Sequence, residues 1–341
     1  MVRSFSPRRP ELSNKGIGLF RRFKNEWLGL AGAPSLGDTA TAWLISFSSG
    51  ELYVGSGDTE SWQPSTRDGD TPSAFVSMCW DPFNDRYLGL GNDSHIYASF
   101  DGHEWFIVQN NVGIESPSNH ESPYLGFDYF TEAGLFLCTN GDAFSWSEDG
   151  NSWFSETSTP LTWTWLSLAW DGEKFGAFRN RSDNPQMIIS SDGKEWTGVN
   201  IGFNPSSQGA WSDHHGLWIS QTHGSDEIQV SPDTSSWSIS NSTTDARSFI
   251  AAVDDNILVG YNSLFLSTDG GETFSQVASF GLRTYALAGV GSSFILGGGE
   301  SGRVARSYDS GTTWEDITGD KGLSTPAGIA IGITPNVVTK K

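Results

Sequence analysis

Charged residues are scarce in this sequence, and basic residues are scarcer than acidic ones. Only 18% of its 341 residues are charged, and 20 Lys and Arg stand against 40 Asp and Glu, which gives a formal net charge of −20. An acidic chain is repelled by nucleic acid and by anionic membranes. The composition therefore argues against nucleic acid as a partner of the acidic body of the chain.

Cysteine and long apolar runs are also rare. The two cysteines, Cys79 and Cys138, lie in apolar, strand-like runs, so we expect reduced core residues and no disulfide framework. No run approaches the roughly 18 apolar residues of a membrane span. The first basic residues are not followed by an apolar stretch of secretory-signal length. We therefore expect a protein that is made in the cytoplasm and has no membrane span.

Glycine and tryptophan are abundant, with 40 and 15 copies, and a short pattern recurs through the chain. The pattern is Ser, any residue, Asp, and an aromatic residue four or five positions after the Asp; we call each copy a box. The seven boxes are Ser56–Trp62, Ser99–Trp105, Ser147–Trp153, Ser190–Trp196, Ser231–Trp237, Ser267–Phe274 and Ser307–Trp314. Their acidic members are Asp58, Asp101, Asp149, Asp192, Asp233, Asp269 and Asp309. A repeat of about 40 residues indicates a propeller or an array.

Each period contains four short alternating runs bounded by turn residues. In the second period these runs cover 74–80, 86–91, 95–100 and 105–109. Four strands in each of seven periods predict an all-β, seven-bladed β-propeller of four-stranded antiparallel blades. The boxes fall between the third and fourth strands, where Ser and Asp side chains bond the backbone of a tight turn and the aromatic residue packs over it. We therefore assign the box residues a structural role.

The first box is preceded by only two strand-like runs, 41–48 and 51–56. The C-terminal run 327–334 aligns with 285–292, which is a first strand, so we expect a C-terminal strand to complete the first blade. The predicted organisation is a basic N-terminal arm (1–38), a propeller (39–335) and a short tail (336–341). The arm has seven basic and three acidic residues, a net charge of +4 on a chain that is otherwise acidic.

The repeat resembles the Asp-box, or bacterial neuraminidase repeat. The stretch SYDSGTTW (307–314) matches its Ser-x-Asp-x-Gly-x-Thr-Trp pattern at every defined position, and STDGGETF (267–274) departs only at the last. This resemblance implies the propeller fold. It does not imply one function, because Asp-box propellers occur in sialidases, sortilin-type receptors, photosystem assembly factors and phage structural proteins.

Residues for catalysis or for a metal site are not apparent. The resemblance to sialidases would imply an Arg triad, a Tyr nucleophile and an Arg-Ile-Pro motif, but the first blade has no Arg in its strands and Arg-Ile-Pro is absent. Adjacent His214 and His215 suit a hairpin turn better than a metal site. Isolated Asp residues at seven separate turns cannot converge on one ion. We therefore expect a non-enzymatic protein with no cofactor and no metal.

Two regions are candidates for recognition, the exposed loops opposite the boxes and the arm. The loop residues are Asn111, His120, Arg179, Arg181 and His223. The arm residues suited to docking on an acidic partner are Arg8, Arg9, Phe20, Arg21, Arg22, Phe23 and Trp27. We expect a structural or interaction propeller that docks to a larger assembly, most similar to a phage virion accessory protein. The alternatives are an intracellular assembly factor of the photosystem II type and a sialidase-like protein that binds or cleaves glycans at the loops.

Overall fold

The structure of the chain is a computed structural model. It describes residues 40–56, 60–65, 68–69, 74–112, 127–130, 132–139, 144–156, 167–179, 185–242, 249–253, 255–260, 262–279, 284–290, 293–298, 302–319, 323 and 330–337. The predicted arm (1–38) lies outside the described residues. Residues 35–341 form one compact unit.

All regular elements of the described residues are β-strands. In chain order they are β1 (Ala40–Phe47), β2 (Leu52–Ser56), β3 (Trp62–Pro64), β4 (Asp68–Gly69), β5 (Phe75–Asp81), β6 (Arg86–Gly91), β7 (Ile96–Ser99), β8 (Glu104–Gln109), β9 (Phe127–Phe130), β10 (Leu135–Thr139), β11 (Phe144–Ser147), β12 (Phe154–Glu156), β13 (Ser167–Trp170), β14 (Phe175–Phe178), β15 (Met187–Ser190), β16 (Thr197–Val199), β17 (Pro205–Ser212), β18 (Leu217–Thr222), β19 (Glu227–Ser231), β20 (Ser238–Ser242), β21 (Phe249–Val253), β22 (Asn256–Gly260), β23 (Ser263–Ser267), β24 (Ser275–Ser279), β25 (Thr284–Val290), β26 (Ser293–Gly298), β27 (Arg303–Ser307), β28 (Glu315–Asp316) and β29 (Ala330–Val337). No helix long and apolar enough to span a membrane occurs in the described part of the chain.

The strands form six four-stranded antiparallel blades, not the seven that the repeat predicts, and one five-stranded sheet. We number the sheets along the chain as sheet 1 (β29, β1, β2, β3), sheet 2 (β4–β8), sheet 3 (β9–β12), sheet 4 (β13–β16), sheet 5 (β17–β20), sheet 6 (β21–β24) and sheet 7 (β25–β28). Sheet 2 differs because Asp68 and Gly69 pair in parallel with Glu104 and Trp105 along its outer strand. A strand of two residues has no periodicity, so the sequence pattern does not predict it.

The core lies between the sheets. Seven apolar clusters each join two successive sheets; one contains Leu44, Phe75 and Trp105 and lies between sheets 1 and 2. Another contains Trp43 and Val304 and joins sheet 7 back to sheet 1. Middle strands such as β6 are buried along their whole length, because neighbouring sheets cover both of their faces. The sheets therefore close on themselves as a β-propeller.

A C-terminal strand completes the first blade, as predicted. Strand β29 pairs antiparallel with β1, and Ile333 lies opposite Ile45. It spans Ala330–Val337 and lies between the inner strands β25 and β5 of the neighbouring sheets. The buried side chain of Ile333 packs in the same cluster as Trp43 and Ile45. Closure of the ring therefore depends on pairing between strands at the two ends of the described part of the chain.

Removal of β29 should lower the melting temperature sharply, because it uncovers the cluster around Trp43 and Ile45. We expect this of a chain that lacks residues 325–341. The milder change Ile333→Ala should lower the free energy of unfolding by about 2–4 kcal/mol, as expected for a buried aliphatic residue. The exposed Ile239→Ala serves as the matched control and should change it by less than about 0.5 kcal/mol. An unchanged melt of the truncated chain would show that β29 does not hold the ring closed.

Candidate functional site

Each of the six boxes whose Asp is described is a turn in which Ser and Asp side chains bind the backbone. In sheet 3, Ser147 Oγ donates to Asp149 Oδ1 over 3.1 Å and accepts from the amide of Gly150 over 2.9 Å. Asp149 Oδ1 also accepts the amides of Asn151 and Ser152 at 2.8 and 2.7 Å. The same Ser-to-Asp bond recurs at Asp101, Asp192, Asp233, Asp269 and Asp309. The first box Asp, Asp58, lies outside the described residues.

These hydrogen bonds keep the box carboxylates ionised. Donation from the Ser152 amide lowers the pKa of Asp149, and bonds from the amides of Ser235 and Ser236 lower the pKa of Asp233 to about 2. Bonds from the Thr273 hydroxyl and amide lower the pKa of Asp269 to about 2. At Asp101, partial burial raises the pKa, but the backbone bonds outweigh it and the result is a lowered pKa. A general acid needs a pKa near the working pH, so these groups are unsuited to that role.

The aromatic residue of the box packs over its own turn in four of the boxes. The indole N–H of four box tryptophans donates to a carbonyl three residues earlier: Trp105 to Gly102, Trp153 to Gly150, Trp237 to Thr234 and Trp314 to Gly311. Trp196 instead stacks on Phe144 with ring centroids 4.1 Å apart. Trp62 is fully buried. Phe274, whose side chain has no N–H group, packs against the cluster between sheets 5 and 6. All seven aromatic residues thus serve the core.

The boxes also join neighbouring sheets. Between sheets 2 and 3, the buried carboxylate of Asp81 pairs with Arg86 Nε at 2.9 Å. Arg86 Nη2 then donates to the Gly150 carbonyl and to Asn151 Oδ1 in the next box, at 3.1 and 2.8 Å. A similar contact between sheets 6 and 7 runs from Asn256 Nδ2 to the Ser310 carbonyl at 2.8 Å. The turn residues therefore form junctions around the ring and do not converge on one point.

The predicted recognition residues are dispersed. Arg179 is fully buried and its Nε donates to the Pro185 carbonyl, so it belongs to the interior. Asn111 and His223 are exposed. His120, Arg181 and the arm residues lie outside the described residues. Among the described residues there is no group of three or more His, Cys, Asp or Glu that could hold a metal ion.

The adjacent histidines occupy the first hairpin turn of sheet 5, as the sequence indicates. His215 Nε2 lies 3.0 Å from the Asp255 carbonyl in the corresponding turn of sheet 6. The rings of His214 and His215 are perpendicular, with centroids 4.7 Å apart. The contact of His215 with the Asp255 carbonyl therefore links the first turn of sheet 5 to the corresponding turn of sheet 6.

One inner-strand carboxylate has an unusual environment. Asp128 in β9 is exposed, yet the surrounding protein removes part of its hydration and raises its pKa to about 6; the Tyr129 amide, which donates to Asp128 Oδ1, opposes this shift only in part. Sequence reasoning did not single out Asp128, because an Asp in a strand-like run has no motif around it.

The outer corners of the sheets carry features that sequence reasoning also missed. Each box connects the third and fourth strands of its sheet. We define the outer corner of a sheet as three residues: the second residue of the box and the two residues, one on each of these strands, that pair with each other next to the box. In sheet 3 this pair is Trp146 and Phe154, whose rings stack with centroids 4.6 Å apart. Lys194 Nζ from the box of sheet 4 lies 3.8 Å from the centroid of the Trp146 ring and 3.0 Å from Glu148 Oε1. This corner holds a cation between an aromatic ring and a carboxylate.

The outer corner of sheet 7 is built in a similar way. Its cross-strand pair is Arg306 and Glu315, whose side chains bond at 2.8 Å. The guanidinium of Arg306 lies 4.8 Å from the ring centroid of Tyr308 and also bonds Glu60, in the box of sheet 1, at 2.8 Å. Arg306 therefore ties the last sheet to the first.

The outer corner of sheet 2 carries two exposed aromatic side chains. Phe100 and Phe106 are 62% and 39% exposed, and their ring centroids are 5.9 Å apart. Glu104 is exposed and lies on the same face of β8 as Phe106, because the buried Trp105 separates them in an alternating strand. The box pattern leaves these positions open to any residue type, so the repeat did not point to them.

The class of protein that these features define is an all-β propeller. Comparison with solved structures agrees: YCF48 bound to a D1 peptide superposes with a TM-score of 0.57 and 17% identity, over 82% of this chain and 96% of that chain. The GH74 xyloglucanase from Xanthomonas campestris gives a TM-score of 0.57 and 12% identity, over 87% of this chain and 53% of that chain. At such identities the likeness shows the fold alone.

Comparison of sequences finds similarity over a much shorter part of the chain. No family model matches the chain. A xyloglucanase of Hypocrea jecorina is 45% identical over 67 residues. This match covers 18% of the present chain and 8% of the xyloglucanase, so the chain spans less than a tenth of that relative.

The box glycine that faces Asp81 should not tolerate a side chain. A Cβ on Gly150, whose φ is +71°, would lie 2.8 Å from Asp81 Oδ2, so Gly150→Ala combines backbone strain with displacement of the buried ion pair. We expect a loss of about 3 kcal/mol or more in urea denaturation. Gly134→Ala is the matched control, because its φ is +64° and nothing lies within 4 Å of the added Cβ; it should cost about 1 kcal/mol. Equal losses in the two variants would contradict the junction role of the Gly150 turn.

Asp128 should make stability depend on pH. Because its pKa rises from 3.8 unfolded to about 6 folded, the native state binds the extra proton, and the free energy of unfolding should fall as pH rises from about 4 to 6. Asp128→Asn should flatten this slope and raise the melting temperature at pH 7. Urea denaturation at pH 4, 5, 6 and 7 measures it, with the exposed Asp255→Asn as the control for loss of one charge. An unaltered slope in Asp128→Asn would place the titrating group elsewhere.

Proposed function

We propose that this propeller is a non-enzymatic module that binds another protein through the outer rim of sheets 2 and 3. The observation that carries the proposal is the exposure of Phe100, Phe106 and Phe154 at outer-corner positions. The corresponding positions of sheets 4, 5 and 6 hold small residues: Ser191 and Thr197, Pro232 and Ser238, Thr268 and Ser275. The repeat does not require aromatic rings there, and clustered exposed aromatic residues are typical of protein interfaces.

The roles of the other polar groups support this proposal. The described box carboxylates serve their own turns, and Asp81 and Arg86 serve a junction between sheets. The residues that remain available for recognition are those at the surface positions where the repeat allows any residue type. The solved structure of YCF48 with a D1 peptide supports a peptide or protein as the ligand of a propeller of this shape.

Glycoside hydrolysis is the second candidate function. It is favoured by the short match to a xyloglucanase and by Asp128, whose pKa of about 6 would suit a general acid. A glycosidase needs a second carboxylate about 5–10 Å from the first. The described residues favour protein binding, because the rings of Phe100, Phe106 and Phe154 provide an exposed aromatic surface.

Narrower assignments remain predictions from the sequence. We propose that the five-stranded sheet 2 serves as a seventh blade, since it fills the place between sheets 1 and 3 in the ring. Membership of the Asp-box family, docking through the basic arm, and a place in a phage virion or in an intracellular assembly factor remain predictions. Loss of association with purified particles on removal of residues 1–38 would support the virion assignment.

Differential capture tests the proposed function. The wild type and the variant Phe100→Ser/Phe106→Ser/Phe154→Ser are immobilised and exposed to an extract of the cells that make the protein. We expect at least one protein to be retained by the wild type and reduced at least fivefold on the variant, and to bind again as purified protein. Ile239→Ser, which removes an exposed apolar side chain from sheet 5, should retain it.

An activity assay of the wild type and of Asp128→Asn tests the second candidate. We expect no release of reducing sugar from xyloglucan by the wild type. Release that is present in the wild type and lost in Asp128→Asn would contradict the proposal and favour a glycosidase. Equal capture by the wild type and the triple variant would remove the rim as the binding surface.

A further inference from the structure

Two outer corners of this protein each hold a cation in the same chemical setting. At the corner of sheet 3, Lys194 lies over the Trp146 ring and bonds Glu148. At the corner of sheet 7, Arg306 lies over the Tyr308 ring and bonds Glu315. Both corners combine an aromatic face with a carboxylate, which together attract a cation more strongly than either does alone. The chain itself supplies both cations.

The corner of sheet 2 has the aromatic part of this setting, and an acidic residue, Glu104, stands two residues before Phe106 on β8. Phe100 and Phe106 present exposed rings, and Glu104 is exposed on the same strand face as Phe106. The third-strand residue opposite Phe106 is the buried Ala98, where sheet 7 has Arg306. Among the described residues, no Lys or Arg lies over these two rings or bonds the Glu104 side chain.

The next box does not supply the missing cation either. Lys194 stands two residues after Asp192 and reaches back to sheet 3. The residue at the same position of the sheet 3 box is Asn151, which accepts a bond from Arg86 at 2.8 Å and donates to the Asp149 carbonyl at 3.1 Å. Its amide is thus held at the junction between the sheets and carries no charge.

We propose that Phe100, Phe106 and Glu104 form a binding site for an arginine side chain of a partner protein. Arginine fits better than lysine, because its planar guanidinium can stack on a phenyl ring and direct two N–H groups at one carboxylate. The net charge of −20 favours a basic partner. This inference rests on the proposed function. It specifies that the partner protein presents an arginine side chain to the rim of sheet 2.

A peptide-binding assay tests the site. The probe is a fluorescein-labelled peptide of six arginines, and binding to the full chain is followed by fluorescence anisotropy near physiological salt, where distant charges are screened. We expect Phe100→Ser/Phe106→Ser and Glu104→Gln each to weaken binding at least fivefold, the change expected from loss of a cation–π or ionic contact. A peptide of six citrullines, which has the same shape without charge, should not bind.

Glu195→Gln is the matched charge control. Glu195 and Glu104 each stand three residues after a box Asp, and their amides donate to that Asp at the same distance of 3.0 Å. Both are exposed, so the two variants remove the same charge from equivalent turns. Equal weakening by Glu104→Gln and Glu195→Gln would show attraction to the acidic body as a whole and would overturn the site. Melting temperatures equal to wild type confirm that the variants are folded.

Two further outcomes separate the alternatives. If a captured partner binds Phe100→Ser/Phe106→Ser as well as the wild type, the site is wrong and the proposed function stands. If the wild type captures no protein, the proposed function itself fails.

Discussion

Sheet-against-sheet packing is the interaction on which the rest of this structure depends. Each sheet is too small to cover its own apolar faces, so middle strands such as β6 and β22 are buried only when a sheet lies on either side. The ring has no end sheet because β29 completes sheet 1 and Trp43 packs with Val304 of sheet 7. Loss of this closure would expose two apolar faces at once.

The boxes follow from that constraint. A turn that lies against the next sheet must be narrow and must satisfy its own amides, which the Ser147 and Asp149 side chains do for the turn of sheet 3. Gly150 lets the turn approach Asp81 closely, and Arg86 then binds the turn carbonyl. The acidic character of the protein is thus partly a consequence of how its turns are built, since each of the six described box Asp residues uses its oxygens to hold a turn.

Residues at the outer corners can vary, and so can take on a binding role, without disturbing the ring. The turn bonds use the Ser, the Asp and the Gly, whereas the second box residue and the fourth-strand residue point away from the junctions in sheets 2 and 3, as the exposure of Phe100 and Phe154 shows. Two corners are closed by the chain's own cations, Lys194 and Arg306, and these also connect neighbouring sheets. The corner of sheet 2, in contrast, keeps the rings of Phe100 and Phe106 exposed.

The sequence by itself determined the repeat, the strand-rich blades and the closure by a C-terminal strand, because period, turn residues and alternation are local properties; β6 spans the same residues, 86–91, that the pattern predicts. It did not reveal β4, because two residues have no period, and it placed Arg179 at the surface although that side chain is buried. The pairing of Lys194 with Trp146, the junction of Arg86 with Gly150, and the shared face of Glu104 and Phe106 beside Phe100 were decided by the tertiary structure. Most of these contacts join residues that are far apart in the chain, and none has a local signal, because stacking of the sheets and the register of the strands bring them together.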